Sequence, residues 1–98
     1  MIDIWKTGIY NGTQYSKNTR TGRSDDKVPC VCCGRPTPLP IRNPVRLFYG
    51  NIIVTQEEAD KIIAEEGDGG DMGFYAVGSE CLKNHPELRP YVVDARKQ

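Results

Sequence analysis

At 98 residues the chain is bounded to one domain. A chain this short buries only about 60% of the surface it exposes when unfolded, so its core is thin and a disulfide or metal staple is expected. Thirteen Lys/Arg balance thirteen Asp/Glu, which excludes a uniformly basic nucleic-acid binder; no apolar run is long enough to span a bilayer. The balance is uneven, however. Residues 1–46 hold eight Lys/Arg against three Asp/Glu (+5), and residues 47–98 hold five against ten (−5). The front is basic and the back acidic.

The opening MIDIWKTGIY has no basic segment leading into an apolar one, so no secretory signal is expected there. IDIW reads as a short edge strand with Ile2 and Ile4 on one face. NGTQYSKNTRTGRSDDK, residues 11–27, has one large apolar residue, Tyr15, and reads as a flexible basic loop. The zinc-binding core is then expected over residues 28–98.

After CVCCGR, PTPLPIRNP carries four prolines in nine residues and should be extended and irregular. VRLFY (45–49) and IIVT (52–55) have strand composition and flank Gly50-Asn51, a two-residue hairpin signal. Thr55 opens T-Q-E-E, a capping box with Glu58 at its third helical position, so a helix is expected over 56–66. Ala59, Ile62 and Ile63 form its apolar stripe and Gly67 its stop. DGGD reads as a solvated turn and GFYAVG (73–78) as a strand. Ser79 can cap a short helix over ECLKNH, which Pro86 ends, and YVVDA (91–95) reads as a last strand. The expected fold class is α+β, a small zinc-stapled domain with a knuckle, a hairpin and short helices.

The chemistry concentrates in the cysteines. Cys30 and Cys33 form C-x-x-C with Gly34 directly after, the spacing at which two thiolates on a tight turn reach one tetrahedral ion. Cys81 and His85, four apart, would share a helix face and complete a Cys3His set for Zn2+. Free buried thiols or a disulfide are the alternatives. Disulfides are rare in a reducing cytosol, where the chain is expected to reside. Cys32 is surplus: it can replace Cys33, stay reactive or pack as a small core residue, and packing is the expected outcome.

Catalytic machinery is not evident. With His85 spent as a ligand no histidine is left for general-base work. The prolines after C-x-x-C exclude a thioredoxin-type helix, and GDGGDMG fits no phosphate-cradling motif. The chain is therefore expected not to be an enzyme. Nucleic-acid binding is the alternative to protein binding: Lys17, Arg20, Arg23 and Lys27 line the basic segment, with Trp5, Tyr10 and Tyr15 before or among them.

The order of knuckle, hairpin and later ligand-bearing helix over residues 30–85 resembles a treble-clef zinc finger. It departs from that pattern in its C-x-x-x-H second pair and its inserted helix. Cys30, Cys33 and Gly34, followed by Gly73, Val77, Gly78 and Cys81, resemble small proteins of bacteriophages and mobile elements. Those pair a C-x-x-C-G knuckle with a G-x-x-x-V-G-x-x-C segment. The resemblance implies a non-catalytic, zinc-stabilised accessory protein acting in the cytoplasm of a bacterial host. By analogy its partner is a host protein, such as a defence enzyme.

Overall fold

The computed structural model describes residues 1–21 and 27–93. Their architecture is α+β, with two antiparallel sheets and short helices. The larger sheet has the order β1-β5-β4-β6, built from β1 (Ile2–Asp3), β4 (Val45–Phe48), β5 (Ile52–Val54) and β6 (Asp71–Tyr75). The smaller pairs β2 (Lys27–Pro29) with β3 (Pro36–Pro38).

β4 and β5 pair with Leu47 opposite Ile53 and Phe48 opposite Ile52. Alternation sends Val45, Leu47 and Ile53 to one face and Phe48, Ile52 and Val54 to the other. The hairpin loop is one residue longer than its Gly-Asn signal suggested. Tyr49, Gly50 and Asn51 connect the strands, with Tyr49 at φ 59 and Gly50 at φ 88. Tyr49 is held in that left-handed conformation by its amide, which donates to the Gly70 carbonyl at 2.8 Å, and by its hydroxyl, which donates to Glu66 Oε2 at 2.7 Å.

α2 (Gln56–Glu66) forms where the local signals put it. The Thr55 hydroxyl accepts from the Glu58 amide at 3.2 Å, and the Glu58 carboxylate accepts from the Thr55 amide at 3.0 Å. Ala59, Ile62 and Ile63 cover Phe48 and Val54. Beside that patch the Arg46 guanidinium lies over the rings of Phe48 and Phe74 and forms a two-bond ion pair with Asp71. Asp71 is thus an ion-pair partner at the start of β6, which begins two residues earlier than expected.

The loop expected over residues 11–27 is corrected. Gly12–Thr21 is a helix, α1, and Lys27 begins β2. The Asn11 side chain caps α1 by accepting from the Gln14 amide at 3.0 Å. Docking replaces the missing apolar stripe. Asn18 Nδ2 donates to the Cys33 carbonyl at 2.8 Å, and the Asn11 amide donates to the Cys32 carbonyl at 2.9 Å.

α3 (Ser79–Asn84) starts one residue earlier than a Ser79 cap would require, since Gly78 is its N-cap. A 3-10 helix follows over Pro86–Tyr91 and buries Leu88. The strand expected over 91–95 is not formed in its described part, residues 91–93, where the Val93 amide donates to the Pro44 carbonyl at 2.8 Å. Its last two residues lie outside the described ones. No helix among the described residues is long and apolar enough to cross a membrane.

Candidate metal centre

The knuckle is the turn between β2 and β3. The Cys30 amide donates to the Arg35 carbonyl at 2.9 Å, and the Gly34 amide donates back to the Cys30 carbonyl at 2.8 Å. Gly34 sits at φ 76, where a glycine turns the chain without the Cβ penalty. The Val31 amide donates to the Ala76 carbonyl at 2.9 Å and fastens the knuckle to the chain leaving β6. That chain continues through Val77 and Gly78 into α3, whose third residue is Cys81.

These connections gather Cys30, Cys32 and Cys81, with the three sulfurs all within 4.8 Å of one another. Cys30 and Cys32 are buried, and Cys81 is half-buried. Cys33, also half-buried, has its sulfur 3.4 Å from that of Cys81. The cluster is one in which a metal ion can be held.

Of the expected ligand set of Cys30, Cys33, Cys81 and His85, the structure brings Cys30 and Cys81 together, with Cys32 as the third sulfur of the close trio. Cys32 belongs to the close trio and Cys33 stands beside it, because the turn of the knuckle carries the Cys32 side chain inward with Cys30 and leaves Cys33 toward the surface. His85 is not in the trio. It leaves helical geometry at φ −128, ψ 70, as expected for a residue preceding proline, so it does not share a helix face with Cys81. Its Nδ1 instead lies 3.4 Å from Glu87 Oε1.

Electrostatics within the trio favour one thiolate. Cys30 is held far below the ordinary thiol range, first by the Cys32 thiol, then by the Cys81 thiol, both donating to its sulfur. The Gly78 amide adds a third donor at 3.2 Å. Donation to Cys30 in turn pushes Cys32 up strongly, with burial adding to the effect. The same donation pushes Cys81 up to about 12. Three sulfurs this close cannot all carry charge unaided. A divalent cation among them would supply the compensating charge and displace the protons. Soft thiolate donors suit zinc, copper(I) or iron–sulfur chemistry over magnesium or calcium.

The basic residues of the alternative reading are distributed around the knuckle. Lys17 and Arg20 are on α1, exposed Lys27 opens β2, and Arg23 lies outside the described residues. The aromatic residues come together. Trp5 and Tyr10 ring centroids are 6.0 Å apart, and Tyr10 and Tyr15 are 5.5 Å apart. With Tyr75 and Met72 they line a cleft of about 170 Å³. Trp5 is 59% exposed at its rim. Sequence reasoning missed this cleft because it treated Tyr15 as part of a loop. No protein-family profile, curated protein or solved structure matches the chain.

Proposed function

We propose that the chain is a non-catalytic module, stapled by zinc at a treble-clef-like knuckle, that binds a macromolecular partner, most simply a protein of a bacterial host. The observation that carries the staple is the convergence of Cys30, Cys32 and Cys81 from two distant segments onto one point. Three sulfurs from two distant segments, two of them buried, support a structural staple that ties the knuckle to α3. The phage-like resemblance supports the host assignment, and a host defence enzyme is one such target.

Elemental analysis of protein prepared without added metal tests the staple. About one zinc per chain is expected for a single structural site, and folded protein free of metal would refute it. Iron with visible charge-transfer absorption would replace zinc by an iron–sulfur centre.

The exposed Trp5 and Met72 side chains, which line the same cleft, support a protein-binding surface, since apolar groups held out in water mark contact sites when clustered. Affinity capture from host cells with and without nuclease tests it. A protein retained by the wild type after nuclease treatment and lost with Trp5→Ala is the expected result.

The aromatic series beside the basic α1 favours a second reading, single-stranded nucleic acid with bases stacked in the cleft. Few phosphate contacts are within its reach, so affinity at physiological salt is expected to be weak, roughly 10⁻⁴ to 10⁻⁶ M. Fluorescence anisotropy decides it: sub-micromolar binding lost in the Arg20→Ala, Arg23→Ala double variant would promote this reading.

A further inference from the structure

We propose that Cys33 and Cys81 form an oxidation site, at which a peroxide-class oxidant makes a disulfide and so ejects the metal. This rests on the metal-centre reading above and adds its regulation. Of the four cysteines, Cys30 and Cys32 are buried while Cys33 and Cys81 are half-buried, so a reagent in solvent meets the latter two first. Their sulfurs are 3.4 Å apart. Forming a bond of about 2.05 Å therefore asks for a sulfur displacement of roughly 1.4 Å, within reach of a small side-chain rotation on the knuckle turn.

The two residues also differ in what else they do. Cys81 belongs to the trio that can hold the ion, and Cys33 stands outside it. Cys33 is the thiol free to react, and Cys81 the ligand whose loss opens the centre. Linking Cys32 to Cys33 instead would strain the peptide joining adjacent residues, and linking Cys30 to Cys32 requires the oxidant to reach two buried sulfurs.

The chemistry balances with hydrogen peroxide as oxidant. The Cys33 thiolate attacks one peroxide oxygen, the O–O bond breaks and hydroxide leaves, giving Cys33 sulfenic acid. The Cys81 sulfur then attacks the Cys33 sulfur. An S–S bond forms, the S–O bond breaks and a second hydroxide leaves. The proton released by Cys33 and one taken from solvent, since metal-bound Cys81 has none, convert the two hydroxides to water; peroxide is reduced by two electrons as the two sulfurs are oxidised to one disulfide. The ion keeps only Cys30 and Cys32.

The event is coupled to α1. The carbonyls of Cys32 and Cys33 are the acceptors that seat Asn11 and Asn18. Moving Cys33 disturbs that seat and, through Tyr15, the aromatic series ending at Trp5, the sole tryptophan and therefore a clean fluorescent reporter.

The test uses the full chain, first assayed for zinc and then treated with stoichiometric hydrogen peroxide. Metal release is followed with a metallochromic dye, and linked peptides are assigned by mass spectrometry of a non-reduced digest, with fragmentation to identify the cysteine. The expected result is a dominant Cys33–Cys81 link, zinc released in step with it, a change in Trp5 emission and reversal by dithiothreitol plus zinc. Cys33→Ala should retain zinc and release it to peroxide about tenfold more slowly or less, because the attacking thiol is gone. A dominant link between any other pair, or Cys33→Ala releasing zinc at the wild-type rate, would overturn the proposal. If that variant does not fold, the link mapped in the wild type decides alone. If no metal is found at the outset, the metal-centre reading fails, and the same mapping on metal-free protein still tests the Cys33–Cys81 pair.

Discussion

Replacing Gly34 by alanine probes the seat of α1 on the knuckle. Gly34 is at φ 76, and an added Cβ would lie 2.7 Å from the Tyr15 carbonyl oxygen and 2.9 Å from Tyr15 Cα. Both are backbone atoms of α1 and cannot rotate away. A left-handed alanine costs about 1–2 kcal/mol by itself. Forcing the helix back from the turn adds roughly 1–3 kcal/mol, the usual range for overpacking. Gly8→Ala separates the two contributions, because Gly8 has a nearly identical φ of 77 and nothing within 4 Å of its would-be Cβ. Urea denaturation of zinc-saturated protein, followed by Trp5 emission and far-ultraviolet circular dichroism, gives both losses. The expected excess of Gly34→Ala over Gly8→Ala is about 1–3 kcal/mol. In a domain this size each kcal/mol lowers Tm by roughly 4–8 °C. Equal losses in the two variants, within about 0.5 kcal/mol, would refute the reasoning, since distant surface changes already scatter by that much.

The close trio makes opposite forecasts for two residues: His85→Ala is expected to keep its zinc by elemental analysis, whereas Cys32→Ser is expected to lose it together with most of its structure, as are Cys30→Ser and Cys81→Ser. Thr55→Ala removes one half of the capping box and should cost about 1 kcal/mol in urea denaturation. The Arg46 guanidinium, helped by the Gly73 amide, holds Asp71 below the ordinary carboxylate range. A depressed carboxyl stabilises the fold above its unfolded value of about 3.9, and that contribution fades as pH falls through the folded value. The urea midpoint should therefore drop on acidification below about pH 4, and less steeply in Asp71→Asn.

The parts of this fold legible in the sequence are those whose signals are local. Thr55, Glu58 and Gly67 mark both ends of α2 without reference to anything distant, and the stripe of Ala59, Ile62 and Ile63 is the face it buries, against Phe48 and Val54. The strands β4 and β5 follow from composition alone. α1 was illegible because its helicity rests on tertiary contacts: NGTQYSKNTRT has no apolar stripe, and Asn18 and Gly34 mean something only once the knuckle is in place. One local signal did exist, Asn11 three residues before Gln14, and composition outweighed it. The ligand set was legible as a cysteine centre but not residue by residue. C-x-x-C spacing favours Cys33, yet which of two adjacent thiols turns inward depends on how the knuckle is fastened to Ala76 and Gly78. For His85 the decisive neighbour, Pro86, was visible, and its effect on helical geometry outweighs the i, i+4 spacing.

The placement of the cysteines also bears on what kind of centre this is. The sheet has one face covered by α2. On the other face the cover includes the knuckle, α3 and the 3-10 helix, and Cys30, Val31 and Cys32 pack in one cluster with Ile4, Val45, Leu47, Ile53 and Leu88. Two of the candidate ligands are thus core residues in their own right. Apolar burial on that face and the charge state of the sulfurs depend on each other: thiolates are tolerated there only if a cation neutralises them, and the cation stays only if the surrounding side chains hold the sulfurs together. Removing either buried sulfur would therefore disturb the packing of that face as well as the centre. The half-buried Cys33 and Cys81 are where the cluster meets solvent, and for that reason the proposed oxidation is placed at its edge.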